Sequence, residues 1–181
     1  MTMREEHVLD ARRAGQIPRY GVFPHVSRQT TGEHSWQVMR LLLAIWPDCP
    51  RHVLVHGLVH DVGELWAGDC SWHAKRSNKL LKAALDVSED EAHRAMAKRW
   101  QLPGVQVLSE MDRAVFKAAE TLEMLEWALH EINMGNRYAA LVAQRCRATL
   151  LEMKLPEFIR TNLLAYQIKR ERLEEAVADG A

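Results

Sequence analysis

No apolar run in this sequence reaches the roughly 20 residues that a membrane-crossing helix needs. The stretch MTMREEHVLDARRAG is charged where a secretory signal carries its apolar segment. A cytoplasmic protein without a membrane partner is expected. Surplus charge is missing too: 24 Lys and Arg balance 24 Asp and Glu. Without the field that draws basic proteins onto polymeric nucleic acid, such a partner is not expected. Cysteine is scarce. Cys49, Cys70 and Cys146 are odd in number, unrelated in spacing and free of any CxxC pair. That argues against a disulfide framework or a structural zinc and fits free thiols in a reducing compartment. Strict apolar–polar alternation, the mark of a half-buried strand, is lacking as well, which leaves an all-α fold class.

What is present agrees. A length of 181 residues at 48% hydrophobic content suits one compact domain over residues 1–181. A first helix is predicted near residues 4–14, closed by Gly15. The interrupted stretch QIPRYGVFPHVSRQTTG follows, and at about residues 16–32 it is long enough for a binding loop. A second helix is expected from Glu33 to Trp46, with Val38, Leu41, Leu42 and Ile45 as its buried stripe. Asp48 and Pro50 read as the start of a third, with Val53, Leu54, Leu58 and Val62 inward and His60, Asp61 and Glu64 along its end. LWAGDCSWHAKRSN breaks the periodicity and offers a second loop before a short helix at KLLKAAL. SEDE supplies Ser88 and Glu91 as a capping box for a helix that Pro103 and Gly104 stop. From Met111, the positions Val115, Ala118, Leu122, Leu125, Leu129 and Ile132 recur at steps of three and four, a long amphipathic helix closed by Gly135. Two C-terminal helices fill about residues 136–178, where Leu163, Leu164 and Ile168 form an apolar face for the core or a subunit contact.

Chemistry concentrates in VHGLVHDVGELWAGD, residues 55–69. Ionised carboxylates in an apolar helix are costly unless partnered. On one helix His60 and Glu64 share a face, and Asp61 and Glu64 are neighbours. A divalent cation (zinc, manganese, cobalt or iron) would resolve that cost, because imidazole nitrogen and carboxylate oxygen both ligate such ions. His34, in the first turn of the preceding helix, reaches the same end if the two helices pack antiparallel. His52, His56 and His60, at steps of four, form a competing arrangement.

The order of these residues, HDVGELWAGD after an upstream histidine, resembles that of the HD-domain metal-dependent phosphohydrolases. More narrowly, it is similar to the HDxxExxxGD segment of their 5'-deoxynucleotidase branch and of related phage dNTP (dATP-type) triphosphohydrolases. PRYGVFPHVSRQTTGEHSWQV resembles that branch's stretch in which an Arg and an aromatic precede the first metal-binding His. The likeness spans about residues 15–140 and implies a compact HD-domain helical bundle. It implies His34, His60 and Asp61 as metal ligands, with Glu120 of VFKAAETLEMLEW standing where the family has Asp; Asp112 and Glu123 are rivals off the family spacing. Glu64 would orient water or transfer protons, and Asp69 would protonate the leaving oxygen or bind the sugar. Arg19 and Lys75 match basic positions and would hold phosphate, while Arg76 is read as solvated. Tyr20 would stack on a base or lie against C2' of the sugar. Trp72, beside His73 where relatives often have prolines, would read the base or serve as a lid or subunit contact. The implied activity is hydrolysis of a 2'-deoxynucleoside monophosphate to deoxynucleoside and phosphate. Its alternatives are release of triphosphate from a dNTP and a non-catalytic HD-fold nucleotide binder. A small deoxynucleotide is the expected ligand, and a homo-oligomer, dimer or larger, the expected assembly.

Overall fold

The computed structural model describes residues 5–100 and 108–179, so the predicted stop at Pro103 and Gly104 lies outside the described residues. Among those described, nine helices follow in order: α1 (Glu5–Ala14), α2 (Thr31–Ile45), α3 (Arg51–Val59), α4 (Glu64–Ala67), α5 (Trp72–Ser77), α6 (Lys79–Arg99), α7 (Glu110–Asn133), α8 (Ala139–Glu152) and α9 (Glu157–Asp179). The fold is an all-α bundle. No described helix is long and apolar enough to cross a membrane.

The two helices that matter most for the site are both started by reciprocal caps. Thr30 accepts the Glu33 amide while the Glu33 carboxylate accepts the Thr30 amide, and Ser109 and Asp112 do the same for α7. The first of these caps starts α2 two residues ahead of Glu33. It also brings Gly32 against the end of α1, where a Cβ would stand 2.9 Å from the Gly15 carbonyl oxygen. The stripe Val38, Leu41, Leu42 and Ile45 is fully buried and meets Val115, Ala118, Leu122 and Leu125 of α7 in the main core. Ala139, Ala143 and Leu150 of α8 and Ile159 and Leu163 of α9 complete it. A second, smaller cluster joins Ala14, Val59, Val62 and Met96, and so ties α1 and α6 to the end of α3.

Four sequence expectations are corrected. Helix α3 is capped by the backbone of Pro50 with no side-chain cap bond, so Asp48 does not start it, and Leu58 is half exposed rather than buried. The SEDE box starts nothing, because α6 runs unbroken from Lys79 to Arg99 under an Asn78 cap. With no Gly or Pro between Leu80 and Ser88, the chain never leaves helical geometry there, and a cap needs a non-helical residue. Finally, α3 stops at Val59. Residues 60–63 turn through short-range bonds, Val62 N to Val59 O at 3.0 Å and Glu64 N to Asp61 O at 3.0 Å. These bonds have the three-residue spacing of a 3₁₀ turn, in which positions i and i+3 eclipse. Asp61 and Glu64 thus stand at that turn's spacing, and His60 and Glu64 do not lie on one continuous helix.

Candidate metal centre

The capped first turn of α2 carries His34, buried at 2% exposure. The end of α3 and the turn after it carry His60 and Asp61. His34, His60 and Asp61 each offer a ligand atom, all within 4.8 Å of one another. Nε2 of His34 lies 3.6 Å from Asp61 Oδ2, and Nε2 of His60 lies 3.4 Å from Asp61 Oδ1. Ligands at about 2.1 Å from a tetrahedral ion stand roughly 3.4 Å apart, so the donor set fits a divalent cation in both chemistry and spacing. The far nitrogens are also committed. His34 donates Nδ1–H to Glu123 Oε2 at 2.7 Å, and His60 donates Nδ1–H to the Gly57 carbonyl at 2.8 Å. A ring that binds a metal while keeping that bond turns its Nε2 lone pair toward the cluster.

Helix α7 serves the site along one stripe, Glu120, Glu123, Trp127 and Glu131, at steps of three and four. Glu120 stands at the margin of the cluster, with Oε1 3.9 Å from His60 Nε2 and Oε2 3.2 Å from Lys117. Glu123 also takes the Gln29 amide at 2.6 Å. Trp127 stacks on Tyr20 with centroids 3.8 Å apart and receives the edge of Phe23. Glu131 accepts bonds from Val26 and Ser27. The rival Asp112 is elsewhere, pairing with His52 at 3.1 Å. His56 lies edge-on against Phe116, so the competing histidine row forms no cluster among the described residues. Sequence reasoning ranked Glu123 low and passed over Gln29, Trp127 and Glu131; the last two share the α7 stripe of Glu120, but only the loop packed beside that helix shows what the stripe holds.

The loop ahead of α2 is pinned over this cluster. Pro18 and Thr30 form an isolated bridge, Asp69 accepts the Tyr20 amide at 2.9 Å, and Tyr20 takes φ +61°, rare for a non-glycine residue. Arg19 Nη1 thereby reaches Asp61 Oδ2 at 2.5 Å. Burial works against the Arg19 charge, but Asp61 and the surrounding acidic groups hold its pKa above the ordinary value. Burial likewise opposes ionisation of Asp61, yet His60, Arg19 and His34 keep its pKa lowered. Glu64 is pushed up to about 8, first by burial and then by Asp61, and its Oε2 is buried with no hydrogen-bond partner among the described residues. Lys75 pairs with Glu89 at 3.1 Å. Trp72 opens α5, but its side chain and those of His73 and Arg76 lie outside the described ones.

Residues 10–163 match the family model described as 5'-deoxynucleotidase YfbR-like. The chain belongs to the YfbR-like family. No curated protein matches it. Among solved structures, it is similar to a cyanophage S-2L HD phosphohydrolase, DatZ, bound to dA and one catalytic Zn²⁺ ion. That match has a TM-score of 0.65 and 21% identity and covers 94% of this chain and 98% of the other. At such identity the likeness establishes a shared fold. The YfbR-like chain described here thus has an HD-phosphohydrolase fold with a histidine–aspartate group that could hold a metal.

Proposed function

We propose that this protein is a metal-dependent phosphohydrolase that converts 2'-deoxynucleoside 5'-monophosphates to deoxynucleoside and phosphate. The observation that carries the reading is the convergence of His34, His60 and Asp61 within 4.8 Å beside the Arg19 guanidinium. His34, His60 and Asp61 would hold a divalent ion, with Glu120 as a fourth carboxylate. Such an ion would supply water acidic enough to attack near neutral pH and countercharge for a phosphoryl oxygen.

The chain's own groups supply the rest. Arg19 places a charge-assisted donor beside the donor cluster, where a phosphate oxygen needs one. Glu64 offers a buried carboxyl oxygen one tight turn past Asp61, in place to orient the attacking water and move its proton. Asp69 spends one oxygen on the Tyr20 amide and leaves the other for the leaving group or the sugar. Tyr20, held flat on Trp127, forms a wall for the deoxyribose or base. Among the described side chains, Lys75 is already paired with Glu89 and adds little free cationic charge beside the cluster, which favours one phosphate over three.

The test is hydrolysis by purified protein supplemented in turn with Mn²⁺, Co²⁺ and Zn²⁺, against all four dNMPs and dNTPs. Orthophosphate from a dNMP is the expected product. Inorganic triphosphate from a dNTP would assign a triphosphohydrolase instead, and nucleotide binding without turnover would assign a non-catalytic binder.

A further inference from the structure

We propose that Glu131 is a positioning residue for substrate, setting where Arg19 and Tyr20 stand by clamping the middle of their loop; this deepens the function proposed above and rests on it. Glu131 is fully buried near the end of α7. Its Oε2 takes the Val26 amide at 2.7 Å and the Asn136 side-chain amide at 2.7 Å, and its Oε1 takes the Ser27 amide at 2.7 Å and the Ser27 hydroxyl at 2.5 Å. The Asn136 amide also donates to the Pro24 carbonyl at 2.8 Å. A carboxylate is kept away from water only when its lone pairs are filled. Here four donors fill them, three from the loop.

The clamp matters because it holds the middle of the loop, while Arg19, Tyr20 and Gln29 near its two ends are held by Asp61, by Asp69 and Trp127, and by Glu123. Arg19 N bonds to the Gln29 carbonyl at 2.9 Å, and Thr31 N to the Ile17 carbonyl at 3.0 Å, closing the neck. Between neck and clamp, Phe23 N closes a turn onto the Tyr20 carbonyl at 2.9 Å. Trp127, one helical turn before Glu131, gives Tyr20 its stacking surface. Stack and clamp thus project from the same face of α7, and together they set the sideways position of Tyr20 over the cluster. Glu131 bonds the loop at Val26 and Ser27, and it acts on the site through that loop.

The decisive variant is Glu131→Gln, which keeps the size and loses acceptor capacity. Steady-state kinetics would be read on dNMPs and matching ribonucleoside monophosphates, with Co²⁺ affinity followed by its absorption spectrum. The expected result is unchanged Co²⁺ affinity, KM for the deoxynucleotide raised roughly 10-fold as misplaced binding groups lose contact, a weaker preference for deoxy over ribo substrates, and kcat changed far less. A merely structural role would lower Tm while leaving KM and sugar preference at wild-type values, and that outcome overturns the inference. Should Glu131→Gln fail to fold, Ser27→Ala removes only the hydroxyl contact and is read in the same way, with a smaller rise expected. Wild-type protein that hydrolyses nothing would sink the phosphohydrolase reading alone. The clamp is then judged by calorimetric dNMP affinity, which Glu131→Gln must weaken for the inference to stand.

Discussion

The main bundle and the layer formed by α1, α4, α5 and α6 solve the same problem on very different scales. In the bundle, α2, α7 and α8 interleave buried side chains over several turns each, and α9 adds Ile159 and Leu163. In the layer, a small cluster of Ala14, Val59, Val62 and Met96 does most of the work among the described side chains, with Ala92 buried beside it, and α6 leaves Leu80 and Val87 exposed. The candidate site lies along the seam. The bundle contributes His34, Glu120 and Glu123, and the turn and layer contribute Asp61, Glu64, Asp69 and Lys75. The candidate ligands thus come from both sides of the seam, His34 from the bundle and His60 and Asp61 from the turn. Glu64, Asp69 and Lys75 are held by the thinner core, which suits groups that must adjust as substrate comes and goes.

The strongest way to break this comparison is at the seam itself. His60→Ala removes a proposed ligand and one edge contact with Phe116 of the main core, so divalent-ion binding and hydrolysis should vanish while the far-ultraviolet circular dichroism stays helical. Retained activity would undo the site. Next come paired core truncations. Leu42→Ala and Met96→Ala should each cost about 2–5 kcal/mol where they act. The first should raise amide exchange throughout the protein and the second only in α1, α4 and α6; uniform exchange in both would show one cooperative unit rather than two layers. Glu123→Gln should weaken ion affinity roughly 10-fold to 100-fold by freeing the His34 ring, with little change in Tm.

A pH experiment sharpens the bundle side. Glu131 is held down at about 2, although burial alone would raise it, because Asn136, Ser27 and Val26 donate to its charged form. Its stabilising contribution is therefore complete above its unfolded pKa near 4.5 and lost as pH falls through about 2. Acid unfolding of the wild type should steepen over that window, and Glu131→Gln should flatten it by on the order of 2 kcal/mol. The smallest effect is expected on the layer's surface. Lys82→Ala breaks an exposed i,i+4 pair with Asp86 and should cost only about 0.3–0.5 kcal/mol, measured by denaturant unfolding.

Much of this was legible before any coordinates. The stripe from Val38 to Ile45 and the one from Val115 to Leu125 follow from periodicity, and Gly135, at φ +91°, ends α7 as read. The break at His60 was not legible, because Gly57 and Gly63 weaken a helix through VHGLVHDVGE without marking where it stops. It arises where Gly63 packs against α6, leaving 3.1 Å between a notional Cβ and the Glu89 Cα, a tertiary contact no local window contains. The false cap at Ser88 shows the opposite error, a local pattern with no helix boundary behind it. At the site, the motif pointed to His34, His60 and Asp61, whereas Glu123 and Glu131 emerge only when α7 is seen lying alongside a loop some hundred residues earlier.

The closed neck at Pro18 and Thr30 makes residues 19–29 a replaceable cassette. Its two ends enter and leave at one fixed place on the helices, so a loop of different composition or length could be grafted between them without moving the scaffold, provided it keeps an acceptable knot for Glu131. Substrate choice in such a protein could then drift, or be engineered, by exchanging a single short segment.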